Sequence, residues 1–150
     1  MPLNQINFFA QNVTIPVRNK KLVRKWLLLL IQQEMGQKVY TEINFIFCED
    51  DYLHQLNTKY LQHDVLTDII TFNYSEHNTV KGDIFISTDR IKENAKMYLQ
   101  TYIGELSRVM AHGVLHLCGY KDKLPRQKKI MTAKENFYLK IQYEFAKNKR

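Results

Sequence analysis

The sequence contains little cysteine and no long apolar run, and both absences exclude protein classes. Two cysteines in 150 residues are too few for a disulfide framework, so we predict reduced, buried thiols in a cytosolic protein. The richest apolar stretch, Trp26 to Ile31, has six residues, far short of the roughly 20 that span a bilayer. The first twelve residues lack a basic segment and a small-residue cleavage site, so no secretory signal is expected.

Proline and glycine are also sparse, with three and five residues, and no linker, repeat or low-complexity tract divides the chain. With 45% hydrophobic and 25% charged residues, the composition is that of a globular protein. The length suits one domain with a core of its own. We therefore predict a single domain over residues 1–150.

The net charge of +7 is concentrated at one end of the chain. Residues 1–120 carry 12 basic and 12 acidic residues, whereas residues 121–150 carry ten basic and three acidic ones. This asymmetry predicts a polyanionic partner, nucleic acid rather than membrane, because no strongly amphipathic anchor accompanies it. The alternative is a terminal helix whose basic side chains are simply solvated.

The hydrophobic patterns predict an α/β (α+β) fold, with a four-stranded mixed sheet packed against about five helices. Strands are expected at residues 5–17, 39–48, 67–74 and 80–87. Helices are expected at residues 19–35, 50–61, 88–119 with a break near 100–104, and 125–146. The helix between the first two strands indicates a parallel pair, and the polar turn between the last two indicates a hairpin.

The segment AHGVLHLCGYKD, residues 111–122, carries the clearest chemical signal. His112 and His116 are four residues apart, so a helix presents both imidazoles on one face, as a metal ion requires. Gly119 can end that helix, which allows Asp122 to supply a carboxylate and leaves a coordination position open. The pair alone is a weak signal, and two ordinary histidines at the edge of the core remain the alternative. Gly113 between them indicates close packing beneath the pair.

The same segment resembles the signature of the YbeY family, H-G-x-L-H-L-x-G-Y-D-H. TDIITF at residues 67–72 and GDIFIS at residues 82–87 resemble two further blocks of the family, in the same order. Asn57 and Tyr60 fit its N-x-x-Y segment. The resemblance implies one α/β domain in the cytoplasm that holds one zinc ion at the end of a core helix. It also implies a single-strand-specific endoribonuclease of 16S rRNA 3′-end maturation and ribosome quality control. The implied partners are the 16S rRNA precursor and the small ribosomal subunit, without DNA or membrane.

Two positions depart from the family pattern. Asp122 stands where the family usually has a third histidine, and this oxygen ligand weakens the case for zinc alone, because similar ligand sets hold iron or manganese. Leu61 stands where the family commonly has an arginine after the tyrosine, so a phosphate-binding cation is expected elsewhere or is dispensable.

We therefore expect His112, His116 and Asp122 to act through a divalent metal that activates water for phosphodiester cleavage. Lys121, Lys123 and Arg126 surround the third ligand and are the predicted RNA contacts. No separate general base is evident. Two alternatives remain: a non-catalytic ribosome assembly factor with a structural metal, and a metallopeptidase. The second is disfavoured because Gly113 replaces the catalytic glutamate of H-E-x-x-H enzymes.

Several other residues receive secondary predictions. Asp83 is a candidate to orient a ligand histidine, whereas Asp64 and Asp68 are expected to cap or form turns. Tyr120 is equally compatible with packing and with stacking on a base, and Cys118 is expected to pack. The residues expected on the surface are His54, His63 and His77. The residues expected in a core stripe are Tyr98, Tyr102 and Leu106.

Overall fold

The computed structural model describes residues 4–61 and 67–148, which form four strands and five helices in the predicted order. The strands are β1 (Asn4–Ala10), β2 (Tyr40–Cys48), β3 (Ile69–Asn73) and β4 (Thr79–Ser87). The helices are α1 (Lys20–Met35), α2 (Asp50–Leu61), α3 (Thr88–Met97), α4 (Tyr102–Leu117) and α5 (Pro125–Asn148). His63 and Asp64 lie outside the described residues.

The four strands form one mixed sheet in the order β1-β2-β4-β3. β1 is parallel to β2 and β2 is parallel to β4, while β3 is antiparallel to β4. The predicted parallel pair, hairpin and α/β class are therefore confirmed.

β1 ends at Ala10, earlier than predicted, and Asn12 follows with a φ of 60°. A left-handed residue, which asparagine tolerates better than most, does not continue a strand.

Alternation along β2 places one face of the sheet in the core. Thr41, Ile43, Phe45 and Phe47 are buried, as the period of two predicts. The buried residues of α1 that join the same cluster are Trp26, Leu27, Leu30 and Ile31. The sheet is thus covered on this face by apolar helix surfaces, including that of α4.

α4 is the core helix that carries both candidate histidines. Its predicted stripe is buried, and a Cβ on Gly113 would lie 2.9 Å from Ile69 Cδ1 and 3.0 Å from Ile84 Cγ2. Since real Cβ atoms rarely come this close, glycine allows α4 to approach the sheet here. The predicted close packing is confirmed. The helix ends at Leu117, and Gly119 turns the chain with a φ of 104°, which places the following loop beside the last helical turn.

Two packing predictions have different outcomes. Cys118 is half-buried against the core, and burial raises the pKa of its thiol to about 12, so it packs as a neutral thiol. Tyr98 is 59% exposed, so its expected place in a core stripe was wrong. α3 ends at Met97, and Leu99 adopts a left-handed φ of 55°. This turn carries Tyr98 away from the stripe that continues on α4.

Among the described helices, none combines the length and apolarity that crossing a membrane would need.

Candidate metal centre

The structure brings His112, His116 and Asp122 together at the C-terminal end of α4. His112 Nε2 lies 3.0 Å from His116 Nε2. Asp122 Oδ2 lies 3.1 Å from His112 Nε2 and 3.4 Å from His116 Nε2. Helical spacing places the two rings one turn apart, and the turn at Gly119 returns the chain so that the carboxylate faces both. All three residues are half-buried, so the group is open to solvent on one side.

The other ring nitrogen of each histidine faces an acceptor. His112 Nδ1 lies 2.6 Å from Glu135 Oε2, and His116 Nδ1 lies 2.9 Å from the backbone oxygen of Tyr120. A carboxylate and a carbonyl only accept hydrogen bonds, so each Nδ1 is the donor. In the neutral rings both Nε2 atoms then carry lone pairs, and both lone pairs point toward the carboxylate of Asp122.

Three lone-pair donors that converge without a shared proton fit a divalent cation. Ligands about 2.0–2.2 Å from a tetrahedral ion lie about 3.3 Å from one another, close to the three separations of 3.0, 3.1 and 3.4 Å. Two imidazoles and one carboxylate suit zinc, and equally iron(II) or manganese(II). The chemistry of the donor set therefore fits a metal ion with a coordination position left for a further ligand.

The electrostatics around His112 favour positive charge at this place. Burial lowers the pKa of His112, but the hydrogen bond and charge of Glu135, with the charges of Asp122 and Asp68, raise it above its ordinary value. The surrounding carboxylates thus favour positive charge beside this ring.

A cleft of about 390 Å³ opens beside His112 and Asp122. Its polar and charged lining also includes Asp68, Glu105, Arg108, Lys128 and Glu135. Burial raises the pKa of Asp68 and of Glu105. Asp68, predicted to cap or form a turn, lies in a bend before β3. It also lines the cleft, and its carboxylate accepts a hydrogen bond from Asn94 at 3.4 Å.

Glu135 is the residue that sequence reasoning missed. It is 6% exposed and joins His112 to Arg108, whose Nη1 lies 2.9 Å from Glu135 Oε1. Arg108 Nη2 in turn donates to Asn136 Oδ1 at 2.7 Å. Glu135 lies on α5, 23 residues from His112 in the chain, and no local pattern connects the two. The packing of α5 on α4 creates the contact.

Asp83, the residue predicted to orient a ligand histidine, does not do so. Its Oδ1 accepts a hydrogen bond at 3.0 Å from Asn44 Nδ2, and Asn44 Oδ1 accepts one from Asn7 at 3.0 Å. These side chains form a polar row across β1, β2 and β4, on the face of the sheet opposite the core, because their parity is opposite to that of the buried residues. Glu135 takes the role that was expected of Asp83.

Tyr120 is held at both ends. Its backbone oxygen accepts from His116 Nδ1, and its hydroxyl donates to Glu34 Oε1 on α1. Tyr138 also donates to Glu34, and Lys134 Nζ lies 3.1 Å from Glu34 Oε2. Burial raises the pKa of Glu34, but these three donors outweigh burial and lower it below its usual range. The ring of Tyr120 is half-buried against the core, so its role is packing and anchoring.

The remaining candidates differ in their exposure. Lys121, Lys123 and Arg126 have exposed side chains beside Asp122, which leaves them accessible to a ligand. His77 is exposed in the turn between β3 and β4, as predicted. His54 was also predicted on the surface, but its side chain in α2 is half-buried.

Comparisons with known proteins show relatives in sequence and a solved structure with a similar fold. The sequence model of the family described as "Endoribonuclease YbeY" matches residues 5–142. A protein of that name from Christiangramia forsetii is 44% identical over 135 residues, which cover 90% of this chain and 92% of the relative. Another from Flavobacterium johnsoniae is 48% identical, with 85% and 91% covered. The solution structure of TM1509 from Thermotoga maritima superposes with a TM-score of 0.66 at 28% identity, covering 96% of this chain and 93% of that one.

Proposed function

The chain belongs to the YbeY family of endoribonucleases, and from that membership we propose that it is an RNA-cleaving hydrolase that depends on a divalent metal. The substrate we propose is single-stranded RNA, with 16S rRNA 3′-end maturation and ribosome quality control in the cytoplasm as its setting. Residues 1–150 act as one domain in this proposal, and the small ribosomal subunit is the proposed partner.

The convergence of His112 Nε2, His116 Nε2 and Asp122 Oδ2 is the observation that carries the proposal. These three residues would hold the metal, and zinc is the ion that the family resemblance implies. When bound, the ion supplies Lewis-acid stabilisation of phosphoryl charge and a more acidic water. Glu135 and the Tyr120 carbonyl hold the two imidazoles in the tautomer that leaves Nε2 free.

The surrounding cations would bind the RNA backbone. Lys128 lines the cleft beside Asp122, and Arg108 lines it from α4. Lys121, Lys123 and Arg126 are exposed next to Asp122. We propose that these cations together replace the phosphate contact of the arginine that the family commonly has at the position of Leu61.

Cleavage of a short single-stranded RNA by the purified chain tests this function. We expect products with zinc or manganese, loss of products when a chelator removes the metal, and recovery when metal is restored. A DNA strand of the same sequence is the control and should remain intact. Binding of ribosomal subunits with no cleavage under either metal would instead support an assembly factor with a structural ion. Cleavage of casein without cleavage of RNA would support a peptidase.

Neutralising Lys128 and Lys129 should weaken the salt dependence of RNA binding. Both lysines are exposed on α5, and removal of one phosphate-binding cation reduces the slope of log K against log salt by about 0.7 for single strands. We expect the double Lys→Gln variant to lower the slope by about 1–2. Lys92→Gln with Lys96→Gln on α3 is the matched control. An unchanged slope in the α5 variant would leave these lysines a role in solubility only.

Removing the Tyr120 hydroxyl should weaken metal binding more than removing the Tyr138 hydroxyl. Both tyrosines donate to Glu34, but only Tyr120 also holds a ligand histidine, through its carbonyl. We expect Tyr120→Phe to lower metal affinity by about 3–10-fold, below the 10–100-fold typical of direct partners of a ligand.

Tyr138→Phe is the matched control, and its metal affinity should stay within about twofold of the wild type. Calorimetric titration with zinc measures the difference, and thermal unfolding shows how much each hydroxyl contributes to stability. Equal losses of metal affinity in the two variants would show that Glu34 acts only on the general stability of the fold.

A further inference from the structure

A second concentration of positive charge lies at the start of α1, away from the metal centre. Five of the eight residues at 18–25 are basic, and no aspartate or glutamate precedes Glu34 in the sequence. Four of them are exposed and Arg24 is half-buried. We call this set the basic face of α1; it comprises Arg18, Lys20, Lys21, Arg24 and Lys25.

The positive charges of the basic face destabilise α1. The first turn of α1 contains no acidic residue and its last turn contains no basic one, the reverse of what the helix dipole favours. Lys20 and Arg24 are four residues apart, as are Lys21 and Lys25, so like charges meet on the helix surface. An arrangement that violates local rules in this way is characteristic of a functional surface.

The basic face borders a groove with features of a nucleic-acid surface. Lys21, Arg24 and Lys25 line a shallow depression of about 480 Å³, together with Leu28, Leu29 and Gln32. Arg24 is oriented by its hydrogen bond to the Ile6 oxygen at 2.7 Å and lies over the Phe8 ring at 5.1 Å. Lys25 Nζ lies 5.5 Å from the Phe145 ring on α5. Phe8 is buried and Phe145 is half-buried, so these rings orient the cations and do not stack on bases. Cations held along a groove in this way suit the phosphate backbone of a nucleic acid.

The distance along α1 separates this surface from the metal centre. Glu34, near the C-terminal end of α1, bonds Tyr120, which in turn holds His116. Lys21 lies 13 residues earlier in the helix, which corresponds to about 20 Å at 1.5 Å per residue. An RNA strand must therefore extend well beyond the metal centre to reach the basic face.

We propose that the basic face of α1 is a second RNA-contact surface, which holds the phosphate backbone of the substrate outside the segment that is cleaved. The inference rests on the proposed function and adds an anchoring site to it. An anionic membrane is the less suitable partner, because most of the apolar surface of α1 is packed in the core. Trp26, Leu27, Leu30 and Ile31 are each 0% exposed, and Leu28 and Leu29 are half-buried, so α1 lacks the wide exposed apolar face that inserts into lipid.

Charge reversal at Lys21 and Lys25 tests the proposal through RNA length. The metal-loaded Lys21→Glu/Lys25→Glu chain is titrated into labelled, cleavage-resistant 2′-O-methyl RNAs of about three and about 30 nucleotides, with anisotropy as the readout. A gel run on the same samples verifies that the RNA is intact. We expect affinity for the long RNA to fall about 10–100-fold and affinity for the short RNA to change less than about threefold.

The same variant should unfold at a slightly higher temperature, by about 1–2 °C, since an acidic residue at position 21 suits the start of a helix and lies three residues before Arg24. The repulsion between positions 21 and 25 keeps its size with the opposite sign and limits the gain. Weaker binding in a more stable protein cannot arise from damage to the fold. Lys21→Gln/Lys25→Gln should show a smaller shift of the same sign in both measurements. Lys92→Glu/Lys96→Glu on α3 is the charge-matched control, and we expect its RNA affinities to stay within about twofold of wild type.

The outcomes separate the two proposals. Wild-type affinity for the long RNA in the reversed variant would overturn the anchoring surface and leave the proposed function intact. Failure of the wild type to bind either RNA would overturn the proposed function itself. Loss of binding to vesicles rich in phosphatidylserine, with RNA binding unchanged, would assign the basic face to a membrane instead.

Discussion

Replacement of His116 by alanine is expected to abolish metal binding and RNA cleavage together. His116 contributes one of three donors within 3.4 Å of one another, and two donors hold a divalent ion far more weakly than three. We expect the metal dissociation constant to rise by more than about 100-fold. A metal that supplies several kcal/mol of transition-state stabilisation contributes about three powers of ten to the rate, so cleavage should fall at least about 1000-fold.

His77→Ala provides the control for this variant, because His77 is exposed in the turn between β3 and β4 and lies outside the metal centre. Calorimetric zinc titration and cleavage of a short RNA are measured for both variants, with circular dichroism to show that each is folded. Undiminished zinc affinity in folded His116→Ala would remove His116 from the ligand set. Undiminished cleavage in a variant that no longer binds zinc would show that cleavage does not require this metal.

Replacement of Glu135 by alanine is expected to weaken the metal centre without removing a ligand. Glu135 holds His112 through Nδ1 and pairs with Arg108, so its loss frees the ring and leaves a guanidinium without its partner. Loss of such an orienting carboxylate lowers metal affinity by about 10–100-fold. The pair is buried only on the glutamate side, with the Arg108 side chain 35% exposed. We therefore expect a loss of about 1–3 kcal/mol in the free energy of unfolding.

Glu135→Gln removes the negative charge of Glu135 and keeps the size of its side chain. The amide oxygen can still accept from His112 Nδ1, but the charge that raises the pKa of His112 is gone. The pKa of His112 in the metal-free variant should therefore decrease, a change that proton NMR of the imidazole detects. Glu144→Gln, an exposed change on the same helix, should leave both the pKa and the metal affinity unchanged. A His112 pKa that does not move in Glu135→Gln would contradict the positioning role.

The elements of the fold follow from local patterns in the sequence. The apolar alternation of β2 predicts which face of the strand is buried. Asn19 predicts the start of α1, and its side chain accepts a hydrogen bond from Leu22 N at 3.1 Å. Gly36 predicts where α1 ends. The proximity of the three candidate ligands could also be predicted, since His112, His116 and Asp122 lie within eleven residues on one helix and the loop after it. Local geometry alone brings them close, because helical spacing and one turn are enough.

The contacts that support the centre could not be predicted in this way. Glu135 on α5 and Glu34 on α1 reach it only because α4 packs against both helices. Asp83 illustrates the converse: it lies in the right sequence block, but strand parity places it on the opposite face of the sheet. The net charge of residues 1–120 likewise concealed the basic residues at the start of α1. Residues 1–120 carry equal numbers of basic and acidic residues, but no acidic residue precedes Glu34.

Local sequence alone predicts the helices, the strands and the close spacing of the three candidate ligands, because those depend on interactions between residues a few positions apart. Tertiary structure alone decided which carboxylate orients His112, which carboxylate anchors the Tyr120 hydroxyl, and which cations share a surface. The first two of those contacts join residues 23 and 86 positions apart, and no periodicity encodes such a pairing. It is set by how the helices pack on the sheet, where a buried polar group must find a partner wherever the chain happens to supply one.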